Sequence, residues 1–242
     1  MDRGCRPVAE SGKLMNKAST LSAVIAAAGS SQRMDGVNKL FVSLGSKPLL
    51  AWSVDTCEAC SLVRQIVLVM NDQDWTSAQR LKEERSWSKV TVCRGGARRQ
   101  DSVREGLRHI KHSALVMIHD GARPFLAPNL IADGLQAASQ TGAALAAVPV
   151  KDTIKAVDHE GLVGETLPRD KIWAAQTPQV FRLDLITRAY ENLQEDVTDD
   201  ATAVERLGHK VRLYMGDYRN IKVTTPEDLF MARIIAEGMG HG

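Results

Sequence analysis

Short apolar segments alternate with longer amphipathic segments along most of this chain, and that alternation constrains the fold more than any other feature. The apolar segments are rich in Val, Ile, Leu and Ala, which is typical of strands buried on both faces of a parallel sheet. The predicted strands are 22–27, 66–70, 90–93, 115–119, 144–148, 211–215 and 220–223. The predicted helices are 48–60, 74–85, 101–111, 128–141, 183–193, 200–207 and 226–237. The pattern predicts an α/β fold with a mainly parallel central sheet.

Composition limits the classes of partner. The chain has 242 residues, of which 44% are hydrophobic, and a formal net charge of +2. These values suit one domain with a full hydrophobic core. Because the sequence has no run of basic residues, we expect no nucleic-acid partner, whereas a locally basic pocket for a small anion remains compatible with this charge.

The first twenty residues carry charged side chains throughout and have no apolar stretch, so they are not predicted to be a signal peptide. We expect residues 1–20 to be a flexible extension and residues 21–242 to form a single domain. No later segment has the length and apolar character of a membrane span, so we expect no membrane partner and a cytoplasmic location.

The four cysteines are expected to be reduced in that location. Cys57 and Cys60 form one CxxC pattern, which can belong to a redox pair or to half of a zinc site. A second CxxC is missing from the sequence, and both residues fall near the end of a predicted helix. We therefore favour the interpretation that they are small packing residues.

One stretch interrupts the alternation of strands and helices. Residues 151–173 alternate apolar with polar side chains on either side of His159, Glu160 and Gly161, which predicts a β-hairpin. A two-stranded ribbon is only marginally stable alone, so it must pack on its own domain or on a second subunit. We predict that residues 150–173 form an arm through which a homodimer assembles.

The segment AVIAAAGSSQRMDGVNKL, residues 23–40, begins in the first predicted strand and continues as a loop with two cations, Arg33 and Lys39. Ligands of α/β sheets bind beyond the carboxyl ends of the strands, where a glycine-bearing loop can present N–H groups to an anion. Small residues at 26–29 permit close approach of a ligand, and the two cations add full positive charge. The loop predicts a polyphosphate site, with a solvated surface loop as the alternative.

Two common phosphate-binding motifs do not fit this loop. A dinucleotide fingerprint needs GxGxxG and an acidic residue closing the second strand, but Gly29 is followed by Ser31 and Arg33. A Walker loop needs GxxxxGK followed by Ser or Thr, but Leu40 follows Lys39. The loop therefore matches neither the dinucleotide fingerprint nor the Walker loop.

The segment IHDGARPF, residues 118–125, places Asp120 at the carboxyl end of a central predicted strand. A carboxylate in that position can hold a divalent cation against phosphate oxygens, and Arg123 can form a forked contact with an anion. The alternative is an Asp turn before Pro124.

Two further segments carry polar residues at predicted helix starts. In GGARRQDSV, residues 95–103, Asp101 or Ser102 can serve as a helix cap. Thr198, Asp199 and Asp200 also have the character of caps. For these residues capping is at least as good an interpretation as ligand binding.

The combination and order of these segments resemble the 2-C-methyl-D-erythritol 4-phosphate cytidylyltransferase family of isoprenoid biosynthesis. The matching segments, in order, are AAAGSSQRM with Lys39, RGGARRQDSV, HDGARP, PVKDTIK, LPRDKIWAAQTPQVF, VTDDATAVE and NIKVTTPEDL. The resemblance covers the chain from about residue 21 to its end. It implies a Rossmann-like nucleotidyltransferase domain that transfers CMP from CTP to methylerythritol phosphate with Mg²⁺ and releases pyrophosphate.

The same resemblance implies the roles of individual residues. It implies that Arg33, Lys39 and Lys222 surround the triphosphate as catalytic residues and that Asp120 lies at the metal. Those implied at the nucleotide are Ala27, Ala28, Gly29, Gly96 and Ser102. The residues that it implies for binding methylerythritol phosphate are Arg123, Thr153, Arg169 and Thr198. Of these, Thr153 and Arg169 would be supplied by the arm of a partner subunit.

Two alternatives remain open at this stage. Ribitol 5-phosphate cytidylyltransferases share the fold, the Arg and Lys loop and a similar KVTTPEDL end, so the acceptor is less constrained than the donor. A nucleotide-binding sensor without turnover is a second alternative, although a mere binder would need fewer charges around the phosphates. The absence of a Ser, His and Asp triad is compatible with an enzyme, because a phosphate monoester is largely a dianion at neutral pH and needs no general base.

Overall fold

A computed structural model describes residues 20–29 and 38–240 of the chain. The described strands are β1 (Leu21–Ala26), β2 (Ser43–Leu44), β3 (Lys47–Pro48), β4 (Val63–Met70), β5 (Val90–Arg94), β6 (Leu115–Asp120), β7 (Ala143–Pro149), β8 (Lys155–Val157), β9 (Val163–Thr166), β10 (Trp173–Arg182) and β11 (Arg212–Met215). The described α-helices are α1 (Leu49–Ala59), α2 (Trp75–Glu84), α3 (Arg99–Arg108), α4 (Pro128–Thr141), α5 (Leu183–Glu191), α6 (Asp200–Arg206) and α7 (Pro226–Gly238).

Among the described residues, seven strands form the central sheet in the order β11, β7, β10, β6, β1, β4, β5. Strand β1 pairs in parallel with both β4 and β6, and β10 is antiparallel to both β6 and β7. From β1 the chain builds outward to β4 and β5, and then crosses back to place β6 on the other side of β1. The strand order thus reverses between β1 and β6, which is the position where open α/β sheets bind ligands.

Helices cover both faces of this sheet, so its apolar residues form two cores. One core packs Leu49 and Leu50 of α1 and Ile131 of α4 against the sheet, together with the small residues Ala232 and Ala236 of α7. The opposite core is built from α3, α5 and α6, which contribute side chains such as Val103, Ile186 and Val204. Alternate residues of β1 belong to the two cores, as expected for a strand buried on both faces.

The predicted α/β class is confirmed, and six of the seven predicted strands and all predicted helices are present within a few residues of their predicted bounds. The strand predicted at residues 220–223 is wrong, because this segment forms irregular backbone. Its hydrogen bonds go elsewhere: the Asn220 side chain donates to the carbonyl of Thr177 at 2.7 Å, and the Val223 N–H donates to the carbonyl of Ala122 at 2.8 Å.

Strand β10 is a central strand that the sequence pattern did not predict. Its segment WAAQTPQVFR contains Pro178, which lacks an N–H and is disfavoured inside a sheet. The pairing of β10 with β7 accommodates this through a register shift between Ala175 and Gln179. The strand also starts at Trp173, where the hairpin was predicted to end.

The predicted hairpin is present as β8 and β9, which pair with each other in a separate two-stranded sheet. Gly161 at its turn has a φ of +83°, which favours glycine, and Asp158 Oδ1 accepts hydrogen bonds from the N–H groups of Glu160 and Leu162 at 2.9 Å each. Val157 and Val163 are each 62% exposed. The hairpin therefore extends from the domain with apolar side chains in solvent.

Other predictions can be compared with the described part of the chain. Cys57 and Cys60 are buried, and burial raises the pKa of the Cys57 thiol, which supports the interpretation as packing residues. Within residues 20–29 and 38–240, no helix is long and apolar enough to cross a membrane. The predicted extension, apart from Thr20, and the candidate Arg33 lie outside the described residues.

Candidate active site

A cavity of about 310 Å³ lies at the carboxyl ends of β1 and β6, where the strand order reverses. Its described lining residues are Ala26, Ala27, Ala28, Gly29, Lys39, Leu40, Gly96, Ala97, Arg98, Arg99, Ser102, Asp120, Ala122 and Lys222. Eight residues proposed for the donor, metal or catalytic site from the sequence are in this set: Ala27, Ala28, Gly29, Lys39, Gly96, Ser102, Asp120 and Lys222. The loops that were predicted from the sequence to form one site therefore lie together around this cavity.

Small residues form the wall of the cavity beyond β1. The Ala27 N–H donates to the carbonyl of Val69 at 2.9 Å, which holds the start of the loop against β4. Gly95 fits closely against this wall, since a Cβ at that position would lie 2.5 Å from Ala28 Cβ. A larger side chain at position 95 would force the two loops apart. Close packing of the loops thus explains the glycine and keeps the wall of the cavity thin.

The second wall is the turn into α3. Ser102 Oγ accepts from the Gly96 N–H at 3.2 Å and contacts the carbonyl oxygen of Arg98 at 3.1 Å. Asp101 provides the cap predicted for this helix, because its carboxylate accepts from the N–H of Arg98 at 3.3 Å. The Ser102 hydroxyl instead stabilises the turn that carries Gly96.

Asp120, the last residue of β6, is buried and surrounded by cations. Its Oδ1 lies 3.0 Å from Arg99 Nε, and its Oδ2 lies 2.9 Å from Lys222 Nζ and 3.7 Å from Arg123 Nε. Burial acts to raise the pKa of the Asp120 carboxyl, but the charges of Arg99, Lys222 and Arg123 outweigh burial and lower it well below its usual range. Asp120 is therefore a carboxylate at neutral pH.

Arg99 is a cavity residue that the sequence analysis did not single out. Besides its contact with Asp120, its guanidinium makes a two-pronged contact with Asp200, which is completely buried. Burial alone would lower the pKa of Arg99, but Asp200 and Asp120 raise it above its ordinary value. Asp199, rather than Asp200, caps α6 by accepting from the Thr202 N–H at 2.9 Å. The capping interpretation of Asp200 is therefore wrong.

A buried histidine fixes the loop after β6. His119 Nε2 lies 3.0 Å from the carbonyl oxygen of Arg123, and His119 Nδ1 lies 3.1 Å from Thr177 Oγ1. Thr177 Oγ1 also accepts from the Asp120 N–H at 3.0 Å. Burial lowers the pKa of His119 to about 4, so the imidazole is neutral at pH 7 and uses both nitrogens in these contacts.

The segment that carries Lys222 is tied to the same loop. Arg123 Nη1 donates to the carbonyl of Asn220 at 2.7 Å, and the Asn220 side chain donates to Thr177 as described above. Together with the contact between Val223 and Ala122, these bonds join three chain segments beside Asp120. Arg123 stands next to the cavity but not among the described residues that line it.

The remaining acceptor candidates do not line this cavity. Thr153, Arg169 and Thr198 are exposed and are not among its described lining residues. Arg169 Nη1 donates to the carbonyl of Lys151 at 2.8 Å, which anchors it at the base of the arm. Within one chain, the two arm residues are therefore not part of the cavity wall.

Asp120 fits a magnesium ion that takes most of its oxygen ligands from a triphosphate and water. Mg²⁺ in nucleotide sites is commonly bound through one or two carboxylates together with phosphates. In the part of the chain that the structure describes, no group of three or more His, Cys, Asp or Glu side chains could hold a metal ion. Because Lys222 contacts Oδ2, an ion at this carboxylate would compete with Lys222. A single carboxylate can hold Mg²⁺ only together with other oxygen ligands, such as phosphate and water.

A larger hollow of about 750 Å³ lies at the opposite end of the sheet, near the start of β6 and the end of β10. Its charged lining residues among those described are Arg182 and Arg188 together with Asp184 and Glu191. Because these charges balance and Arg182 is paired with Asp184, the hollow offers no excess of positive charge for a nucleotide. The cavity beside Asp120 is the better candidate.

Comparisons with known proteins give the same family that the sequence segments resemble. The family model of 2-C-methyl-D-erythritol 4-phosphate cytidylyltransferase (IspD) matches residues 21–238. A relative of that name from Dehalococcoides mccartyi is 49% identical over 216 residues, which are 89% of this chain and 95% of the relative. Another from Halalkalibacterium halodurans is 45% identical over 219 residues, which are 88% of this chain and 96% of the relative.

A solved structure supports this relationship. The crystal structure of 4-diphosphocytidyl-2C-methyl-D-erythritol synthase from Anaerococcus prevotii superposes with a TM-score of 0.82 at 31% identity, covering 90% of this chain and 96% of that one. The sequence match extends over nearly the whole described domain, including every loop of the cavity beside Asp120. The chain belongs to the 2-C-methyl-D-erythritol 4-phosphate cytidylyltransferase family of nucleotidyltransferases.

Proposed function

We propose that the cavity beside Asp120 binds CTP and that the chain transfers CMP from it to 2-C-methyl-D-erythritol 4-phosphate. The products are 4-diphosphocytidyl-2-C-methyl-D-erythritol and pyrophosphate. The observation that carries this proposal is the convergence of Lys39 and Lys222 with the small-residue wall at the carboxyl ends of β1 and β6. The cavity is thus a pocket with cationic side chains at the edge of the sheet where α/β folds bind their ligands.

The reaction is an in-line displacement at phosphorus. An oxygen of the acceptor phosphate attacks the α-phosphorus of CTP, a new P–O bond forms, and the bond from the α-phosphorus to the bridging oxygen breaks. Pyrophosphate leaves with the electron pair of that bond. The acceptor phosphate is largely a dianion at neutral pH, so no proton has to be removed from the nucleophile.

The side chains near the cavity agree with a mechanism without a general base. Asp120 is ion-paired, and His119 is neutral with both ring nitrogens in hydrogen bonds. The chemical requirement is instead the stabilisation of charge that develops on the α-phosphate and on the leaving pyrophosphate. We assign this role to Lys39 and Lys222, and to Arg33 on the basis of the sequence resemblance.

The remaining donor residues would select and orient the nucleotide. Ala27, Ala28, Gly96 and Ser102 would contact the cytosine, and Gly29 would be a further contact to the nucleotide. A bound Mg²⁺ would be held by Asp120 and phosphate oxygens and would supply further charge neutralisation for the triphosphate. These assignments follow the family resemblance and the position of each residue in the cavity wall.

For the acceptor, we propose a site shared between two subunits. Arg123 and Thr198 would come from one subunit, and Thr153 and Arg169 from the arm of its partner. The exposed apolar side chains of β8 and β9 support this proposal, because they have too little of their own domain to pack against. We further propose that this homodimer works in the cytoplasm.

The shared site can be tested by mixing two variants that are each nearly inactive when the acceptor concentration is low. Arg169→Ala should raise KM for the acceptor far more than KM for CTP, because a guanidinium contact to the acceptor phosphate is lost. Mixing this variant with Lys39→Ala and allowing subunit exchange gives heterodimers with one doubly altered site and one intact site. The activity per heterodimer should recover toward half that of the unaltered dimer. If the mixture stays inactive despite demonstrated exchange, Arg169 serves its own subunit.

The overall function is tested by pyrophosphate release from CTP and Mg²⁺ with each of two acceptors. We expect release with methylerythritol phosphate and formation of the diphosphocytidyl product by mass spectrometry. Faster release with ribitol 5-phosphate would overturn the proposed acceptor. CTP binding without release in the presence of either acceptor would favour a nucleotide sensor instead.

A further inference from the structure

A series of hydrogen bonds, most of whose members are buried, leads from the core to the cavity. It begins at Tyr190 in α5, whose hydroxyl donates to Asp200 Oδ1 at 2.5 Å. Arg99 Nη1 and Nη2 donate to Asp200 Oδ1 and Oδ2 at 3.0 and 2.8 Å. Arg99 Nε donates to Asp120 Oδ1 at 3.0 Å, which brings the series to the edge of the cavity. Four chain segments are joined in this way.

Stability alone is a poor explanation for this arrangement. Asp200 is completely buried, and removing a charge pair from water commonly costs as much as the attraction between the two charges returns. Arg99 also occupies the first turn of α3, where the helix dipole disfavours a cation. An apolar pair of similar volume would therefore stabilise the fold comparably well.

The geometry of the guanidinium supplies a better explanation. Its Nε–H and its two Nη groups lie in one rigid plane, so the orientation of one edge determines the direction of the other N–H. Asp200 holds the Nη edge from the protein interior, and the Nε–H is thereby directed at Asp120 Oδ1. With Oδ1 held, the other oxygen of Asp120 faces Lys222 Nζ at 2.9 Å.

We infer that Arg99 and Asp200 are positioning residues that orient the Asp120 carboxylate and, through it, Lys222. This inference rests on the proposed function, since Lys222 is assigned there to the triphosphate. A displacement of about 1 Å in a catalytic group can cost about 100-fold in rate, so a rigid support behind Asp120 has a clear kinetic value. Neither residue contacts the reacting atoms in this scheme.

The test compares Arg99→Lys, Asp200→Asn and the double variant with the unaltered enzyme. A lysine keeps the charge but has one ammonium group, which cannot bridge both carboxylates as a planar fork does. We expect each single variant to lower kcat about 10- to 100-fold while KM for CTP changes less than about 3-fold. The double variant should lose no more than the worse single variant, because the two residues act as a unit.

Two controls separate positioning from simple loss of stability. Arg182→Lys alters an arginine paired with Asp184 at the opposite end of the sheet and should leave kcat unchanged. Thermal unfolding of every variant shows that kcat is measured on folded protein. If Asp200→Asn does not fold, Arg99→Lys alone still decides, because Arg99 is partly exposed and lies at the cavity edge.

The outcomes distinguish this inference from the proposed function. If the unaltered enzyme releases no pyrophosphate, the proposed function fails. If the unaltered enzyme is active and folded Arg99→Lys has the same kcat, the positioning role is refuted while the function stands. Additive losses in the double variant would likewise show that Arg99 and Asp200 do not act together.

Discussion

Replacing Thr177 with valine removes one hydroxyl from the network beside Asp120 while nearly preserving the shape of the side chain. Thr177 is buried, and its Oγ1 accepts from the Asp120 N–H at 3.0 Å and contacts His119 Nδ1 at 3.1 Å. In the valine variant both polar groups of β6 lose their partner inside the protein. The substitution therefore tests whether this network maintains the structure around the cavity.

The size of the effect follows from the number of groups left without partners. Each buried polar group without a hydrogen bond costs about 1–3 kcal/mol, so the loss of partners for two groups in Thr177→Val should lower the free energy of unfolding by roughly 2–6 kcal/mol. For a chain of this length, each kcal/mol corresponds to about 2–4 °C in Tm. We also expect kcat to fall about 10-fold, because the backbone that carries Asp120 loses a support.

Thr177→Ser is the matched control for this prediction. Serine keeps the hydroxyl and removes only a buried methyl group, which costs about 1 kcal/mol. Urea unfolding and steady-state kinetics on both variants give the comparison. The reasoning is refuted if valine is as stable as threonine, or if serine and valine destabilise the protein equally.

Two further predictions concern charged residues in different parts of the domain. Lys39→Ala should keep the fold and lower kcat by about 100- to 1,000-fold, because that is the usual loss for a group that stabilises transition-state charge. Near-normal turnover, measured by pyrophosphate release, would contradict the catalytic role of Lys39. At Asp55, burial acts to raise the carboxyl pKa, but hydrogen bonds from Lys47, Trp87 and Arg85 outweigh it and hold the pKa below its ordinary value. The stability from these contacts is therefore present above the ordinary pKa of about 4 and is lost as pH falls through the lower folded-state value. Asp55→Asn should make the free energy of unfolding, measured with urea, fall less steeply at acid pH than it does in the unaltered protein. An unchanged pH dependence would count against this explanation.

The sequence was most informative where a residue follows a strand. Asp120 and the loop after β1 could be placed together because the carboxyl ends of parallel strands share one edge of the sheet. Lys222 lines the cavity although the strand predicted around it is absent. Its segment is held by side-chain contacts such as that of Asn220, which no local pattern reveals.

The supporting residues could not be predicted in the same way. Asp200 follows Thr198 and Asp199 at a helix start, where an acidic residue has an ordinary capping role. Arg99 lies beside Arg98, and a local pattern does not show which arginine faces the interior. Their pairing depends on α3 and α6 meeting on one face of the sheet, which is a long-range consequence of the topology. Strand β10 was missed for a local reason, since Pro178 argues against a central strand.

A crystal structure of the protein with CTP would test most directly whether the cavity between β1 and β6 is the nucleotide site. Triphosphate density should lie between Lys39 and Lys222, with the cytosine against Ala28, Gly96 and Ser102. Density for CTP in the larger hollow beside Arg182, or a cytosine placed away from the α3 turn, would contradict the assignment.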